Sequence, residues 1–185
     1  MNDEQLVKVS KYLSKHLRHQ PERLGLTLQP GGWVEVSELL AACARNRFPI
    51  SRAQLDAVVA QNDKQRFGFD ETGERIRANQ GHSVEVDLAL VPQTPPETLY
   101  HGTGAGSVEA IRREGLLKLR RHHVHLSADR ETARRVGARH GKPHLFLVDT
   151  QAMHAAGHLF YCSDNGVWLT DHVPAPFLLD AETNL

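Results

Sequence analysis

Apolar residues recur at helical spacing near the start of the chain, at Leu6, Val9, Leu13 and Leu17. A repeat of three or four residues places such side chains on one face of a helix. The pattern therefore predicts an amphipathic helix over residues 4–18, with Arg18 and His19 at its C-terminal end. The basic residues of the segment fall on a neighbouring stripe of that helix: Lys8, Lys11, Lys15 and Arg18.

Two more helices are predicted before residue 65. A β-prone run covers residues 33–36, and Ser37 is expected to cap a helix that continues through Cys43. Ser51, with Gln54 three residues later, has the spacing of a capping box, which predicts a helix to about residue 62.

A β-hairpin follows, with strands over residues 65–69 and 75–78 around the turn at residues 70–73. Three helices followed by a hairpin indicate a winged helix. Pro92, Pro95 and Pro96 then interrupt any regular element, because proline cannot continue a central strand or helix. We therefore expect a domain boundary here, between residues 1–91 and residues 97–185.

The second half alternates between strand and helix patterns, which predicts a mixed α/β sheet. We expect strands over residues 99–101, 124–126, 144–148, 159–162 and 167–170, and helices over residues 107–114 and 130–139. Asn165-Gly166, between the last two strands, is a strong signal for a tight hairpin.

Composition favours a soluble globular protein: 185 residues, 40% hydrophobic, 24% charged, with a mean hydropathy of -0.43. No run approaches the roughly 20 apolar residues that a membrane-spanning helix needs. The acidic start of the chain is unlike a secretory signal. We expect a cytoplasmic protein without a membrane partner, in which Cys43 and Cys162 stay reduced.

The net charge is zero, but basic residues are concentrated in two segments. Residues 112–142 contain ten Lys and Arg residues against three acidic residues, a net charge of +7. A second basic group lies near the N-terminus. Two local basic patches on a neutral protein fit a local anionic ligand better than general coating of nucleic acid, although solvated helix faces are an equally simple explanation.

Histidines raise the question of a metal site, since His154 and His158 have the spacing of two zinc ligands on one helix face. The signal is weak, because no glutamate lies between them and no third ligand follows at motif spacing. We expect no metal. His122, His123 and His125 form another group, in which a strand would place His123 and His125 on the same face.

His101-Gly102-Thr103 ends a predicted strand, and offers an imidazole, close backbone approach and a hydroxyl at one sheet edge. An ordinary flexible turn at Gly102-Thr103-Gly104 explains this segment as well. The chain has neither a dinucleotide fingerprint nor an NTPase phosphate loop, and no nucleophile elbow. A mechanism that uses arginine and histidine is therefore favoured over one that uses carboxylates.

Seven motifs, in order, resemble those of the RNA 2′-phosphotransferase family, which in eukaryotes includes the tRNA-splicing enzyme. They are residues 14–19 (SKHLRH), 63–67 (DKQRF), 76–83 (IRANQGHS), 101–103 (HGT), 124–127 (VHLS), 139–143 (RHGKP) and 165–169 (NGVWL). The resemblance covers residues 5–178. It implies an α+β protein with an N-terminal winged-helix lobe and a C-terminal ADP-ribosyltransferase-like lobe that holds NAD on a split β-sheet.

The resemblance also implies a reaction that consumes NAD and needs no metal. An internal RNA 2′-phosphate attacks C1″ of the nicotinamide ribose and expels nicotinamide. The ribose O2″ then attacks the phosphate, which releases 2′-hydroxyl RNA and ADP-ribose 1″,2″-cyclic phosphate.

The catalytic residues of the family correspond here to Arg18, His19, Arg66 and Arg121, brought together from distant parts of the chain. The last assignment is open, because Arg120 would replace Arg121 if the loop shifted by one residue.

For NAD, the resemblance assigns His101 to a ribose hydroxyl, with further contacts expected from Gly102, Thr103, His125, Ser127 and Arg139. His125 and Ser127 could equally be plain strand residues. Val167 stands where protein-modifying relatives often have a catalytic glutamate.

Two alternatives remain at this point. The chain could ADP-ribosylate nucleic-acid phosphate ends or protein, or it could be a non-catalytic winged-helix module that binds RNA. The expected partners are RNA with a 2′-phosphate and NAD, and the chain is expected to be a monomer.

Overall fold

The computed structural model of the protein describes residues 2–61 and 65–181. These residues form two compact units, one ending at Leu90 and the other beginning at Val91. Each unit has its own hydrophobic core.

The first unit contains three helices and a three-stranded antiparallel sheet in the order β1-β3-β2. Its helices are α1 (Asp3–Arg18), α2 (Val36–Arg45) and α3 (Arg52–Ala60), and its strands are β1 (Trp33–Glu35), β2 (Phe67–Phe69) and β3 (Arg75–Ala78). Short 3-10 helices cover Pro21–Leu24 and Pro30–Gly32.

The predicted first helix is confirmed. Asn2 caps α1, and the apolar face that periodicity indicated is buried, with Leu13 and Leu17 fully enclosed in the core. Ser51 and Gln54 form the predicted capping box of α3. The predicted cap at Ser37 is wrong, because α2 begins one residue earlier at Val36, whose side chain is buried in the core.

The predicted hairpin is confirmed, with Phe67 opposite Ala78 and Phe69 opposite Ile76. The side chain of Asp70 stabilises the turn of this hairpin. The Asp70 carboxylate accepts hydrogen bonds from the main-chain N–H and the Nε of Arg75 and from the hydroxyl of Thr72. Burial raises the pKa of Asp70, but these hydrogen bonds outweigh it and lower the pKa to about 2.

The second unit contains three small sheets and three helices. Its strands are β4 (Thr98–Gly104), β5 (Leu116–Leu117), β6 (Val124–Leu126), β7 (Pro143–Asp149), β8 (Phe160–Cys162), β9 (Trp168–Thr170), β10 (His172–Val173) and β11 (Leu178–Asp180). Its helices are α4 (Val108–Glu114), α5 (Arg130–Gly137) and α6 (Thr150–Ala155). Short 3-10 helices cover Ala105–Ser107, Ala138–His140 and Ala175–Phe177.

The sheets have the orders β11-β7-β4, β6-β9-β8 and β10-β5. The pairing of β4 with β7 is the longest, from Thr98 opposite Asp149 to Gly104 opposite Pro143. The first two sheets meet at a bridge between Tyr100 and Ser127, whose main-chain groups exchange hydrogen bonds of 2.9 and 2.8 Å. This bridge brings the end of β6 beside the middle of β4.

Several elements of the second unit differ from the sequence prediction. The strands β5, β10 and β11 and the helix α6 were not predicted, and β4 extends to Gly104, so Gly102-Thr103-Gly104 is strand and not turn. The predicted hairpin of β8 and β9 is confirmed. His154 and His158 do not share a helix face, because α6 ends at Ala155.

The architecture is thus mixed α and β with small antiparallel sheets, in agreement with the predicted α+β class. Within residues 2–61 and 65–181, no helix has both the length and the apolar character that crossing a bilayer would require.

Candidate functional site

Two groups of predicted site residues come together, one in each unit. The first, here called the arginine cluster, consists of Arg18, His19 and Arg66. Arg18 is the last residue of α1, and its Nη2 donates to the main-chain oxygen of Arg66 at 3.3 Å. The Arg18 guanidinium also lies 6.0 Å from the centre of the Phe67 ring. The two arginines are 48 positions apart in sequence and adjacent in the fold.

His19 is held at the exposed end of α1 by a residue that the sequence analysis did not single out. The Nδ1 of His19 lies 2.8 Å from the hydroxyl oxygen of Ser83. The main-chain N–H of Ser83 in turn donates to the carbonyl of Arg18 at 2.9 Å. Ser83 therefore fixes both the end of α1 and the imidazole ring. Ser83 closes one of the motifs quoted above, which was the available signal for it.

Arg66 is half-buried and stands directly before β2. Its carbonyl accepts from the main-chain N–H of Asn79 at 2.9 Å, and its Nη1 donates to the hydroxyl of Ser10 on α1 at 3.4 Å. The Asn79 side chain donates to the carbonyl of Gln65 at 2.7 Å. Gln65 has a φ of 39°, a left-handed conformation, so this bond stabilises an otherwise costly backbone immediately before Arg66.

The second group, here called the histidine cluster, consists of His101, Arg121 and His125. The Nδ1 of His101 lies 3.1 Å from the main-chain oxygen of His125. Because a carbonyl only accepts, the Nδ1 of His101 carries the proton in this contact, and the Nε2 of a neutral ring is then an acceptor. The strand pairing at Tyr100 and Ser127 holds the two histidines in register.

The pKa of His101 is lower than the ordinary value of a histidine. Burial is the main cause, the hydrogen bond to the carbonyl of His125 opposes it, and the positive charge of Arg121 lowers the pKa further. The ring is therefore neutral at pH 7, which suits an acceptor for a hydroxyl group.

Arg121, and not Arg120, belongs to this cluster. A turn closed by a hydrogen bond of 3.0 Å from the N–H of Arg121 to the carbonyl of Lys118 reverses the chain, with Leu119 in a left-handed conformation at φ 54°. The turn places the Nη1 of Arg121 at 3.4 Å from the Nδ1 of His125. Arg120 and Arg121 are both exposed, but no contact described for Arg120 joins it to the cluster.

Gly102 and Thr103 lie on opposite faces of β4. A Cβ at Gly102 would lie 1.7 Å from the carbonyl oxygen of Ala133, so the missing side chain allows α5 to pack on the strand. Alternation along β4 puts His101 and Thr103 on the other face, and Thr103 is buried. The structure thus explains Gly102 by helix packing, while its contact with NAD stays a prediction.

Ser127 and Arg139 are the two remaining residues predicted to bind NAD. Ser127 is half-buried and joined to β4 through its main chain. Arg139 is exposed in the 3-10 helix Ala138–His140, after α5. Its neighbour His140 packs so tightly on β4 that a Cβ at Gly104 would lie 2.2 Å from the His140 carbonyl oxygen. No contact described here joins Arg139 to His101.

The described residues contain no group of three or more His, Cys, Asp or Glu side chains with an arrangement that could hold a metal ion. His158 packs instead against the rings of His172 and Phe177, with centres 5.5 and 5.8 Å apart.

Comparison with known proteins identifies the family. The sequence model described as "RNA 2'-phosphotransferase, Tpt1 / KptA family" matches residues 4–172. The chain belongs to this family. Both clusters lie within the matched segment. Among the RNA 2′-phosphotransferase relatives, a protein of Trichormus variabilis named "Probable RNA 2'-phosphotransferase" is 67% identical over 178 residues, covering 96% of this chain and 98% of the relative.

Proteins with the same printed name show comparable similarity. The one from Nostoc punctiforme is 63% identical, over 96% of this chain and 98% of its own length. The one from Streptomyces griseus is 62% identical, over 97% of this chain and 98% of its own length. Membership of the RNA 2′-phosphotransferase family makes the chain a transferase, as the sequence analysis expected.

Proposed function

We propose that the protein removes an internal 2′-phosphate from RNA, with NAD as the second substrate. The observation that carries this proposal is the arginine cluster. In a member of the RNA 2′-phosphotransferase family, Arg18, His19 and Arg66 are held together by hydrogen bonds from residues far apart in sequence. The two clusters are proposed to serve one reaction.

The arginine cluster suits an RNA phosphate monoester. Such a group carries about −1.5 to −2 charges near neutral pH. A guanidinium remains protonated throughout and offers parallel donors that match two phosphate oxygens. The main-chain contacts of Arg18 and Arg66 order their positions before substrate arrives, which lowers the entropic cost of binding.

The histidine cluster suits the ribose of NAD. The Nε2 of a neutral His101 can accept a hydrogen bond from a ribose hydroxyl, and His101 is half-buried. Thr103 on the same face, together with Gly102, His125, Ser127 and Arg139, completes the proposed NAD-binding set. NAD when bound supplies a ribose carbon with nicotinamide as its leaving group.

The proposed reaction has two steps. An oxygen of the RNA 2′-phosphate forms a bond to C1″ while the bond from C1″ to nicotinamide breaks, which joins RNA to ADP-ribose through the phosphate. The O2″ hydroxyl then bonds to phosphorus while the bond to the RNA O2′ breaks. The proton of O2″ is transferred to the departing RNA O2′, so the RNA leaves with a 2′-hydroxyl group. ADP-ribose 1″,2″-cyclic phosphate is the other product.

Arg18, Arg66 and Arg121 are proposed to stabilise the negative charge on the phosphoryl oxygens during the second step. His19 is proposed to orient or protonate those oxygens, a task for which an imidazole that can donate or accept a proton is suited. Val167 supplies no base, and the first step needs none, because a phosphate monoester is already anionic. We propose that the reaction uses no metal, because fixed guanidinium groups provide the required positive charge.

We also propose a winged-helix lobe and an ADP-ribosyltransferase-like lobe. The order helix, strand, two helices and hairpin in the first unit supports the former. The bridge that joins β4 to the end of β6, between two separate small sheets, supports the latter.

A product assay tests the proposal. The purified chain is incubated with NAD and an oligonucleotide that carries one internal 2′-phosphate. The same incubation without NAD is the matched control. We expect 2′-hydroxyl RNA, nicotinamide and the cyclic phosphate, and only when NAD is present. RNA that stays joined to ADP-ribose would indicate an ADP-ribosyltransferase instead. RNA that is bound but unchanged, without release of nicotinamide, would indicate a non-catalytic binding module.

A further inference from the structure

A second basic site lies on the first unit, at the end of α1 opposite to the arginine cluster. It is a recess of about 260 Å³ between the start of α1 and the loop that joins α2 to α3. Its lining residues are Gln5, Lys8, Val9, Arg47, Phe48, Pro49 and Gln54. The lining contains two cations, two amides and no acidic residue.

Lys8 and Arg47 are both exposed, so both ammonium and guanidinium groups can reach a ligand from solvent. The Lys8 Nζ lies 5.8 Å from the centre of the Phe48 ring, and that ring stacks on Tyr12 of α1 at 3.8 Å. This stacking packs the Phe48 ring, which lines the recess, against α1. Arg47 has a φ of 59°, a left-handed conformation that costs a residue with a side chain of order 1 kcal/mol or more.

The recess and the arginine cluster are joined by one stripe of positive charge. At 100° per residue, Lys8, Lys11, Lys15 and Arg18 fall within an arc of about 80° around α1. All three lysines are exposed. The rise of 1.5 Å per residue puts Lys8 about 15 Å from Arg18 along the helix axis. Glu4, one turn before Lys8, is an acid near this end of the stripe and does not line the recess.

Regularly spaced cations that end in a basic recess match a chain of phosphates better than a single anion. We propose that the recess of Lys8 and Arg47 binds a backbone phosphate of the substrate RNA, several nucleotides away from the 2′-phosphate held at the arginine cluster. At the stacked spacing of ~3.4 Å per phosphate, 15 Å corresponds to about four nucleotides. This inference rests on the proposed function, since it assigns the 2′-phosphate to Arg18 and Arg66.

The test compares short and long RNA in variants of the recess. Substrates carry one 2′-phosphate with ~2 or ~8 nucleotides on each side. Lys8→Ala, Arg47→Gly and the double variant are measured for KM, kcat and salt dependence. Glycine removes the cation at position 47 and relieves the left-handed backbone, so misfolding does not explain a loss of affinity. Arg45→Ala, which removes an exposed cation outside the recess, is the matched control.

We expect the double variant to raise KM for the long substrate several-fold while kcat and the KM of the short substrate stay unchanged. The slope of log affinity against log salt for long RNA should fall by ~0.7 for each cation removed, as single-stranded phosphate contacts require. Equal KM values for the double variant and the wild type on long RNA would overturn the inference, and so would an equal rise on both substrates. If the wild type processes neither substrate, the proposed function itself fails.

Discussion

The arginine cluster and the histidine cluster carry the same kinds of side chain but are built in different ways. Arg18 and Arg66 stand at the ends of regular elements and are tied to main-chain and side-chain groups of the same unit. Arg121 stands on a turn after an exposed, left-handed Leu119, and its guanidinium contacts an imidazole.

This difference indicates what each cluster is prepared for. The arginine cluster is ordered before substrate arrives, which suits a group that must meet a doubly charged phosphate in fixed geometry. The histidine cluster combines a half-buried imidazole with a lowered pKa at His101 and a cation on a turn. Substitutions in each cluster, and a change of pH, test whether the two clusters differ in this way.

Arg66→Lys keeps the positive charge of the arginine cluster but removes the planar guanidinium group and its paired hydrogen-bond donors. We expect the single-turnover rate on 2′-phosphorylated RNA to fall about 10²–10³-fold, because a donor lost at developing charge has an effect of this size. Arg45→Lys is the control, as an exposed arginine outside the cluster. A rate within threefold of the wild type would mean that Arg66 contributes only charge.

Arg121→Ala removes the cation of the histidine cluster, and Arg120→Ala removes its exposed neighbour. We expect Arg121→Ala to lower turnover about 100-fold or to accumulate RNA joined to ADP-ribose, as loss of a transition-state donor predicts. Arg120→Ala should change turnover less than threefold. Gel analysis of the RNA species over time distinguishes the two. A larger loss of turnover for Arg120→Ala than for Arg121→Ala would show that the turn at Leu119 takes another conformation when substrate binds.

Gly102→Ala tests the packing behind the histidine cluster. The new Cβ would lie 1.7 Å from the Ala133 carbonyl, so α5 must move, and we expect a loss of about 3 kcal/mol in the stability of the second unit. Gly106→Ala is the matched control, since nothing lies within 4 Å of its Cβ position. Denaturation of the full chain in urea measures both. Equal stability of the two variants would contradict the tight contact between α5 and β4.

The lowered pKa of His101 predicts a smaller, pH-dependent effect. An unfolded chain protonates this histidine near pH 6.5, whereas the folded chain resists protonation to a lower pH. Acidification therefore favours unfolding, and the stability that the neutral ring confers above pH 6.5 is lost as the pH falls from there toward the folded pKa. Urea denaturation at pH 7.5 and 5.5 measures the loss. His101→Gln should lose less stability on acidification, and an identical loss would show that other groups cause it.

Local signals predicted much of the fold. The periodicity of α1, the capping box at Ser51 and the Asn165-Gly166 hairpin are each encoded within a few residues, and the structure contains all three. The cap at Ser37 was wrong because burial of Val36 in the core, which is a tertiary contact, decided where α2 begins.

The short strands of the second unit could not be predicted in the same way. Leu178–Asp180 is a strand because it pairs with Phe146, Leu147 and Val148, about 30 residues earlier. A run of three residues has no periodicity of its own, and its pairing partner alone makes it a strand. The same reason applies to β5 and β10, which pair only with each other.

In the candidate site, the motifs predicted roles for Arg18, His19 and Arg66, and the resemblance predicted one for Arg121 or Arg120, but neither indicated what holds these side chains. Ser83 and Asn79 lie in a quoted motif, yet their hydrogen bonds to His19 and Gln65 exist only when the chain returns past the end of α1 and the start of β2. Equally, nothing in two adjacent arginines distinguishes Arg120 from Arg121. The turn closed at Lys118 distinguishes them, because it places the Arg121 side chain beside His125.

The residues near each other in the sequence specify which charged and titratable groups the protein has, where the capped helices α1 and α3 begin, and the family to which the chain belongs. The contact of Arg121 with His125, four residues later, depends on the local turn at Lys118. Only the folded chain makes Arg18 and Arg66 adjacent and lowers the pKa of His101, because the first needs a hydrogen bond between residues 48 positions apart and the second needs burial.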